Sequence, residues 1–190
     1  MQRITKNPET RRQEIIDAAI GLFVEKGYEH TSMLDITKEI NVSQGLCYRY
    51  FKSKEEIYQA ALNLYVEQGV DCFNAMMQNK NCSLFELIDT LPALHDMVIE
   101  DNQYHKFFNS PGNSNFHLQM EIALINELIP ILTERLESAK ENREINIENS
   151  TLLATFFFYG QLGIWQRGDI ENKEKIKYIR EYARALLERN

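Results

Sequence analysis

Between Thr31 and Lys54 the chain reads TSMLDITKEINVSQGLCYRYFKSK, and no other stretch limits its fold as tightly. Ile36 and Ile40 lie one helical turn apart, and Val42, Leu46, Tyr50 and Phe51 resume the apolar spacing after a break at Asn41. Two short helices crossing steeply over a small core satisfy that pattern, which is the helix-turn-helix unit. Asn41 suits the turn because asparagine tolerates positive φ better than most residues with a side chain. The second helix, opened by Ser43, carries Gln44, Tyr48 and Arg49 on a polar and aromatic outer face, with Gly45 between. An exposed helix of that composition fits a DNA major groove, where it can hydrogen-bond base edges and phosphates.

A formal net charge of −7 would oppose nucleic acid if it were spread evenly. It is not. Residues 1–54 carry nine Lys/Arg against seven Asp/Glu, whereas residues 55–190 carry twelve against twenty-one. Arg3, Lys6, Arg11, Arg12, Arg49, Lys52 and Lys54 flank the helix-turn-helix, and phosphate binding depends on local potential. The asymmetry implies a small DNA reader, residues 1–53, joined to a larger acidic module, residues 54–190.

Apolar content of 44% with only 4 prolines and 8 glycines points to an ordered helical protein. Met1 to Arg12 lacks the apolar core of a signal peptide, and Thr151 to Trp165 is too short to span a bilayer. A soluble cytoplasmic protein with no membrane partner is expected. Cys47, Cys72 and Cys82 are odd in number with no ligand spacing, so reduced, mostly buried thiols are expected. His95, His105 and His117 could bind a metal along with Glu121, but the separations of the histidines fit no single-helix ligand pair, so neither a metal nor a cofactor is expected.

The rest of the chain reads as helix throughout. Thr10 to Gln13 has capping-box form, and Ile15, Ala19, Leu22 and Phe23 form an apolar stripe, so helix 1 runs from Pro8 or Thr10 to Lys26. Gly27 supplies a left-handed stop. Thr31 or Ser32 caps helix 2, and Ser53 to Glu56 is another capping box opening a long helix to about Met77. Ser83 with Glu86 caps the next, which Pro92 should kink or break. A loop at 109–115 precedes a long amphipathic helix from Phe116 to about Lys140, with a bend expected at Pro130. After a polar connector, Thr151 to Gln166 is nearly apolar all round, implying burial on more than one side. A final helix, Asn172 to Glu188, gathers Ile176, Ile179, Tyr182, Ala183 and Leu186 on one face.

Val42-Ser43-Gln44-Gly45 leading to Tyr48-Arg49-Tyr50-Phe51-Lys52-Ser53-Lys54, followed by an all-helical module, resembles the TetR family of transcriptional regulators. The resemblance is dense over residues 8–58 and sparse beyond, where only the helical layout and Phe158 to Trp165 follow the family pattern. It implies an all-α fold: an N-terminal three-helix helix-turn-helix DNA-binding domain plus a C-terminal helical ligand-binding and dimerisation domain. It also implies that Gln44, Gly45, Leu46 and Arg49 face bases, while Tyr48, Tyr50, Lys54 and Thr31 meet phosphates, Ser43 belonging to the same surface. Residue chemistry agrees in part, since Gln44 can pair bidentately with adenine and Arg49 with guanine. The chain departs from the family at Asn41, where Gly is usual, and at Leu46 and Cys47, where Thr then Leu is usual. Leu46 substitutes an alkyl group for a hydroxyl and suits a thymine methyl.

The resemblance further implies a homodimer pairing through residues 150–169 and 172–188, reading a palindromic operator and released by a small hydrophobic effector. Phe73, Met77, Leu94, Met97, Phe107, Phe108, Phe116, Phe157 and Trp165 would suit a greasy effector cavity, although any one of them taken singly is ordinary core. A catalytic role would need a nucleophile–base pair, a phosphate loop or a metal cluster, and none stands at recognisable spacing. The alternative is a helical adaptor whose acidic module binds another protein.

Overall fold

The computed structural model describes residues 7–79, 82–90, 103–108, 110 and 113–188, and among these every regular element is helical. In chain order they are α1 (Pro8–Lys26), α2 (Met33–Glu39), α3 (Gln44–Tyr48), α4 (Lys54–Met77), α5 (Leu84–Thr90), α6 (Gln103–Phe108), α7 (Ser114–Glu141), α8 (Ser150–Trp165) and α9 (Asn172–Glu188). Pro92 lies outside the described residues. No helix among those described is long and apolar enough to cross a membrane.

Local chemistry sets most helix ends. Asn7 rather than Thr10 caps α1, its Oδ1 accepting from the Glu9 amide at 3.1 Å. Pro8 follows at the first helical position, where a missing N–H costs nothing. Gly27 closes α1 with φ +86° and ψ 150°, a positive φ but an extended exit instead of the left-handed turn expected. Ser32 and Asp35 form a reciprocal capping box on α2, and Ser83 and Glu86 do the same for α5. At α4 the box is offset: Ser53 Oγ accepts from the Glu56 amide, but Glu56 accepts from the Lys52 amide at 2.7 Å.

Packing divides the chain into two compact units: Met1–Glu67 with Ile99–His117, and Gln68–Val98 with Leu118–Asn190. Residue 53/54 marks where the reading helices end in sequence, whereas packing adds the first turns of α4, all of α6 and the start of α7 to the reader. The first unit is built on Ile15, Ile16, Ala19, Ile20 and Phe23 of α1, with Ile36, Cys47, Phe51, Ile57 and Ala61, all buried. Rings extend this core. Phe107 lies 5.5 Å from Phe23 and 5.4 Å from Phe116, and Phe116 lies 5.0 Å from Tyr28 and 4.9 Å from Tyr58. Edge-on and tilted pairs of this kind add about 0.5–1.5 kcal/mol each beyond their buried area. Tyr104 latches α6 to α1, donating to Asp17 Oδ1 at 2.6 Å and accepting from Gln13 Nε2 at 2.7 Å.

In the second unit α4 ends, and α5, α7, α8 and α9 pack around Phe73, Leu87, Leu128, Leu136, Phe158 and Ala183. α7 runs on through Pro130. Lys175, itself buried, donates to the Trp165 carbonyl at 2.9 Å and so caps α8. Within a single chain both α8 and α9 keep apolar surface open. α8 buries only Ser150, Ala154, Phe158 and Gln161, leaving Leu152 and Phe156 each 65% exposed. α9 buries Lys175, Ile179, Ala183 and Leu187, while Tyr182 is 56% exposed and Leu186 37%. The apolar surface of both helices is wider than one contact face, and nothing among the described residues covers the remainder. The thiols differ too: Cys47 is buried, Cys82 half-buried and Cys72 exposed.

Candidate nucleic-acid interface

The turn between α2 and α3 is fixed by its own backbone. Asn41 takes φ +51°, and the Val42 amide donates to the Thr37 carbonyl at 3.0 Å. Ser43 then caps α3, its Oγ accepting from the Leu46 amide at 3.3 Å. Cys47 is fully buried and anchors the inner side of the helix; burial pushes its thiol pKa up, which keeps it protonated and unreactive. With Cys47 inward, Ser43, Gln44, Gly45, Tyr48 and Arg49 are exposed and Leu46 and Tyr50 are half-buried. Gln44 and Tyr48, like Gly45 and Arg49, stand one helical turn apart, so the four share a face.

Gly45 is informative because of what surrounds it. A Cβ built there would meet no atom within 4 Å, so packing inside the chain does not call for glycine. Its helical penalty is therefore not offset by any intramolecular contact.

Two predicted phosphate contacts are placed elsewhere. The Thr31 side chain is buried, its hydroxyl donating to the Gly27 carbonyl at 2.9 Å, and its amide donates to the Tyr28 carbonyl at 3.3 Å. Both its donors are engaged within the chain. Lys54 Nζ donates to the Tyr28 carbonyl at 2.9 Å, lies 4.3 Å from the centre of the Tyr28 ring and 3.9 Å from a Glu29 carboxylate oxygen. Tyr28 was not singled out in the sequence. Burial first, then the Glu55 carboxylate, pushes its phenol pKa up to about 12, and the neutral hydroxyl donates to Glu55 at 3.3 Å. Lys52, counted only among the flanking basic residues, is exposed close to Arg49 in sequence and is the better-placed cation. Arg12 stacks over Phe51 at 5.0 Å, and Arg11 pairs with Glu14 at 2.8 Å. Arg3 and Lys6 lie outside the described residues.

The described candidates for an effector cavity divide between the two units. Phe107 and Phe108 are buried in the ring core of the first unit, and the half-buried Phe116 packs against Phe107 at 5.4 Å. Phe73 packs against Phe158 at 5.7 Å, and Trp165 lies under Lys175. Met77 and Phe157 do meet, lining an apolar void of about 30 Å³ in the second unit with Leu84, Leu87, Leu132 and Leu153. Leu94, Met97 and His95 lie outside the described residues, and His105 is hydrogen-bonded to the Tyr65 hydroxyl at 3.0 Å.

A short outward helix, capped by serine, held by a buried residue and set across a tight turn from its neighbour, defines a helix-turn-helix DNA-binding domain. Residues 15–61 match the model of the bacterial regulatory proteins, tetR family. That match identifies residues 15–61 as a DNA-binding domain of the tetR family of bacterial regulatory proteins. The chain is 29% identical over 126 residues to the biofilm operon icaADBC HTH-type negative transcriptional regulator IcaR of Staphylococcus aureus (strain Newman). That alignment covers 61% of this chain and 63% of the regulator, so the chain matches somewhat less than two thirds of that relative's length. Among solved structures, Salmonella enterica GusR superposes with a TM-score of 0.70 at 21% identity, covering 98% of this chain and all of that one. A TetR/AcrR-family transcriptional regulator from Thermobifida fusca YX-ER1 gives 0.63 at 26% identity, covering 90% and 95%.

Proposed function

We propose that the protein is a homodimeric transcriptional repressor that reads a palindromic operator and is released by a small apolar effector. The observation that carries the reading is the outer face of α3, where Gln44, Gly45, Tyr48 and Arg49 are exposed together while Cys47 is buried behind them. Gln44 and Arg49 would read base edges, Leu46 would meet a thymine methyl, and Ser43, Tyr48, Tyr50 and Lys52 would hold the backbone. Repression is favoured over activation by the likeness to a regulator described as negative.

Pairing is supported by the uncovered apolar strip of α8 and α9, in which Phe156, Gly160, Ile164, Tyr182 and Leu186 line an open groove of about 410 Å³. A second copy would bury it through a two-fold axis and set two copies of α3 about 34–36 Å apart along the duplex. For the effector, the void at Met77 and Phe157 is the favoured seat. It has an apolar lining throughout and would have to widen, since a cavity of about 150 Å³ is what takes up benzene. An effector acts only through unequal affinity for the binding and non-binding states, roughly 10⁴-fold for a full swing.

Footprinting on the region upstream of the protein's own coding sequence tests the reading. A two-fold symmetric protected site is the expected result. Failure of the purified protein to protect or retard any duplex at modest ionic strength would overturn it.

A further inference from the structure

We propose that Gln161 fixes the register in which two copies of this chain pair, its recessed amide hydrogen-bonding the Tyr182 hydroxyl of the second copy. This rests on the reading of the groove between α8 and α9 as a pairing surface. Gln161 lines that groove yet is only 6% exposed, so it lies on the floor, and among the described residues its amide has no hydrogen-bond partner. The amide offers two donors and a carbonyl acceptor, and it calls for several bonds. The groove is open, about 410 Å³, so water can reach the amide in a single chain. A second copy seated there drives that water out, and an amide stripped without replacement opposes association. The pairing surface must therefore bring a hydrogen-bonding group of its own.

Two-fold symmetry narrows the choice. A self-complementary surface meets its own copy, so whatever faces Gln161 comes from the same set of lining residues. Of the other lining side chains only Tyr182 carries a polar atom; the rest are Phe, Ile, Leu, Ala or Gly. Two recessed amides lie too deep to meet across the axis, whereas Tyr182 is 56% exposed and projects from α9. Its ring is stacked beside Tyr178 at 6.1 Å, and its hydroxyl has no hydrogen-bond partner among the described residues. A projecting phenol therefore meets a sunken amide twice, once on each side of the axis. Gly160, next to Gln161, has no atom within 4 Å of where a Cβ would stand, which leaves the backbone beside the amide open to close approach. One polar pair in an otherwise apolar surface penalises every displaced register, because sliding leaves both groups unmatched.

The test is sedimentation equilibrium of the full-length protein, which gives the dimer dissociation constant of wild type and variants. Tyr182→Phe removes only the hydroxyl and leaves the amide stripped, so it should raise that constant about thirtyfold, a factor of about five for each of two hydrogen bonds. Adding Gln161→Leu should recover most of the loss, since replacing both partners by apolar groups is close to neutral. Register is read separately, from the distance between spin labels at Glu171→Cys in a Cys72→Ser, Cys82→Ser background. One distance is expected with Gln161 and Tyr182 intact, and a broadened or split distribution in the Gln161→Leu/Tyr182→Phe variant. An unchanged constant in Tyr182→Phe, losses that add in the double variant, or a single unaltered distance in it would each overturn the proposal. A wild type that stays monomeric at every concentration leaves the groove to another occupant and removes the pairing reading itself, an outcome distinct from the other three.

Discussion

Gly45 is the second residue of a five-residue helix, exposed, with open space where a Cβ would stand. Alanine there meets no neighbour, and it removes the excess backbone freedom glycine loses on folding, so Gly45→Ala should stabilise the protein by about 0.5–1 kcal/mol. For a chain of this size that corresponds to a melting temperature higher by roughly 1–4 °C. DNA binding should move the opposite way. If glycine is present so that the backbone can come close to the duplex, one methyl group holds α3 off and weakens several contacts together, by about tenfold or 1.4 kcal/mol. Thermal denaturation followed by circular dichroism and fluorescence anisotropy with a labelled operator measure the two effects on the same preparation. A variant that is more stable and binds at least as tightly would refute the close-approach argument. A variant less stable than wild type would refute the claim that the chain itself makes no use of this glycine.

Gln44→Ala and Arg49→Ala should each cost about 1–3 kcal/mol on the preferred site and far less on unrelated duplexes, which competition titrations will report. Phe156→Asp places a charge in the exposed strip of α8 and should abolish the proposed self-association, giving a monomer in light-scattering chromatography with the helical content kept. Phe107→Ala empties a fully buried site in the first unit and should cost about 3–5 kcal/mol in denaturant unfolding, despite lying far from α3 in sequence. Tyr28 and Tyr58 both titrate near 12 when folded, against an ordinary 10.0, through burial foremost. Because the raised value favours the protonated folded form, their contribution is fully present below pH 10 and is lost as the pH climbs toward 12. Alkaline unfolding followed by tyrosinate absorbance should show that window, and Tyr28→Phe should narrow the loss.

What could be read from the sequence was what acts within a turn or two of chain. The Ser83–Glu86 box, the positive φ at Asn41 and the cap at Ser43 follow from neighbours at most four residues apart. The all-helical architecture and the helix-turn-helix followed from the same periodicity. Two misreadings are local, the α1 cap at Asn7 rather than Thr10 and the extended exit at Gly27, and the rest are long-range. Phe107, Phe108 and Phe116 were read as cavity wall because their spacing carries no record of Phe23, Tyr28 and Tyr58, against which they pack. Thr31 and Lys54 were assigned outward, yet each donates to a backbone carbonyl supplied by the connection after α1. The α9 stripe was placed about one position off its buried side, since an apolar band serving an inner and an outer face has no single centre for periodicity to find.

From Ser150 to Trp165 not one charged side chain interrupts α8. On this helix a pairing surface would have no pattern of signs with which to refuse a near relative, so its share of the choice of subunit would fall to contour: a protruding phenyl at Phe156, and a backbone laid bare at Gly160 and Gly163, with charge left to α9. In a cell holding several related regulators, mixed assemblies would be held off by bulk and hollow, and exchanging a few large residues for small ones would be enough to redraw which chains associate.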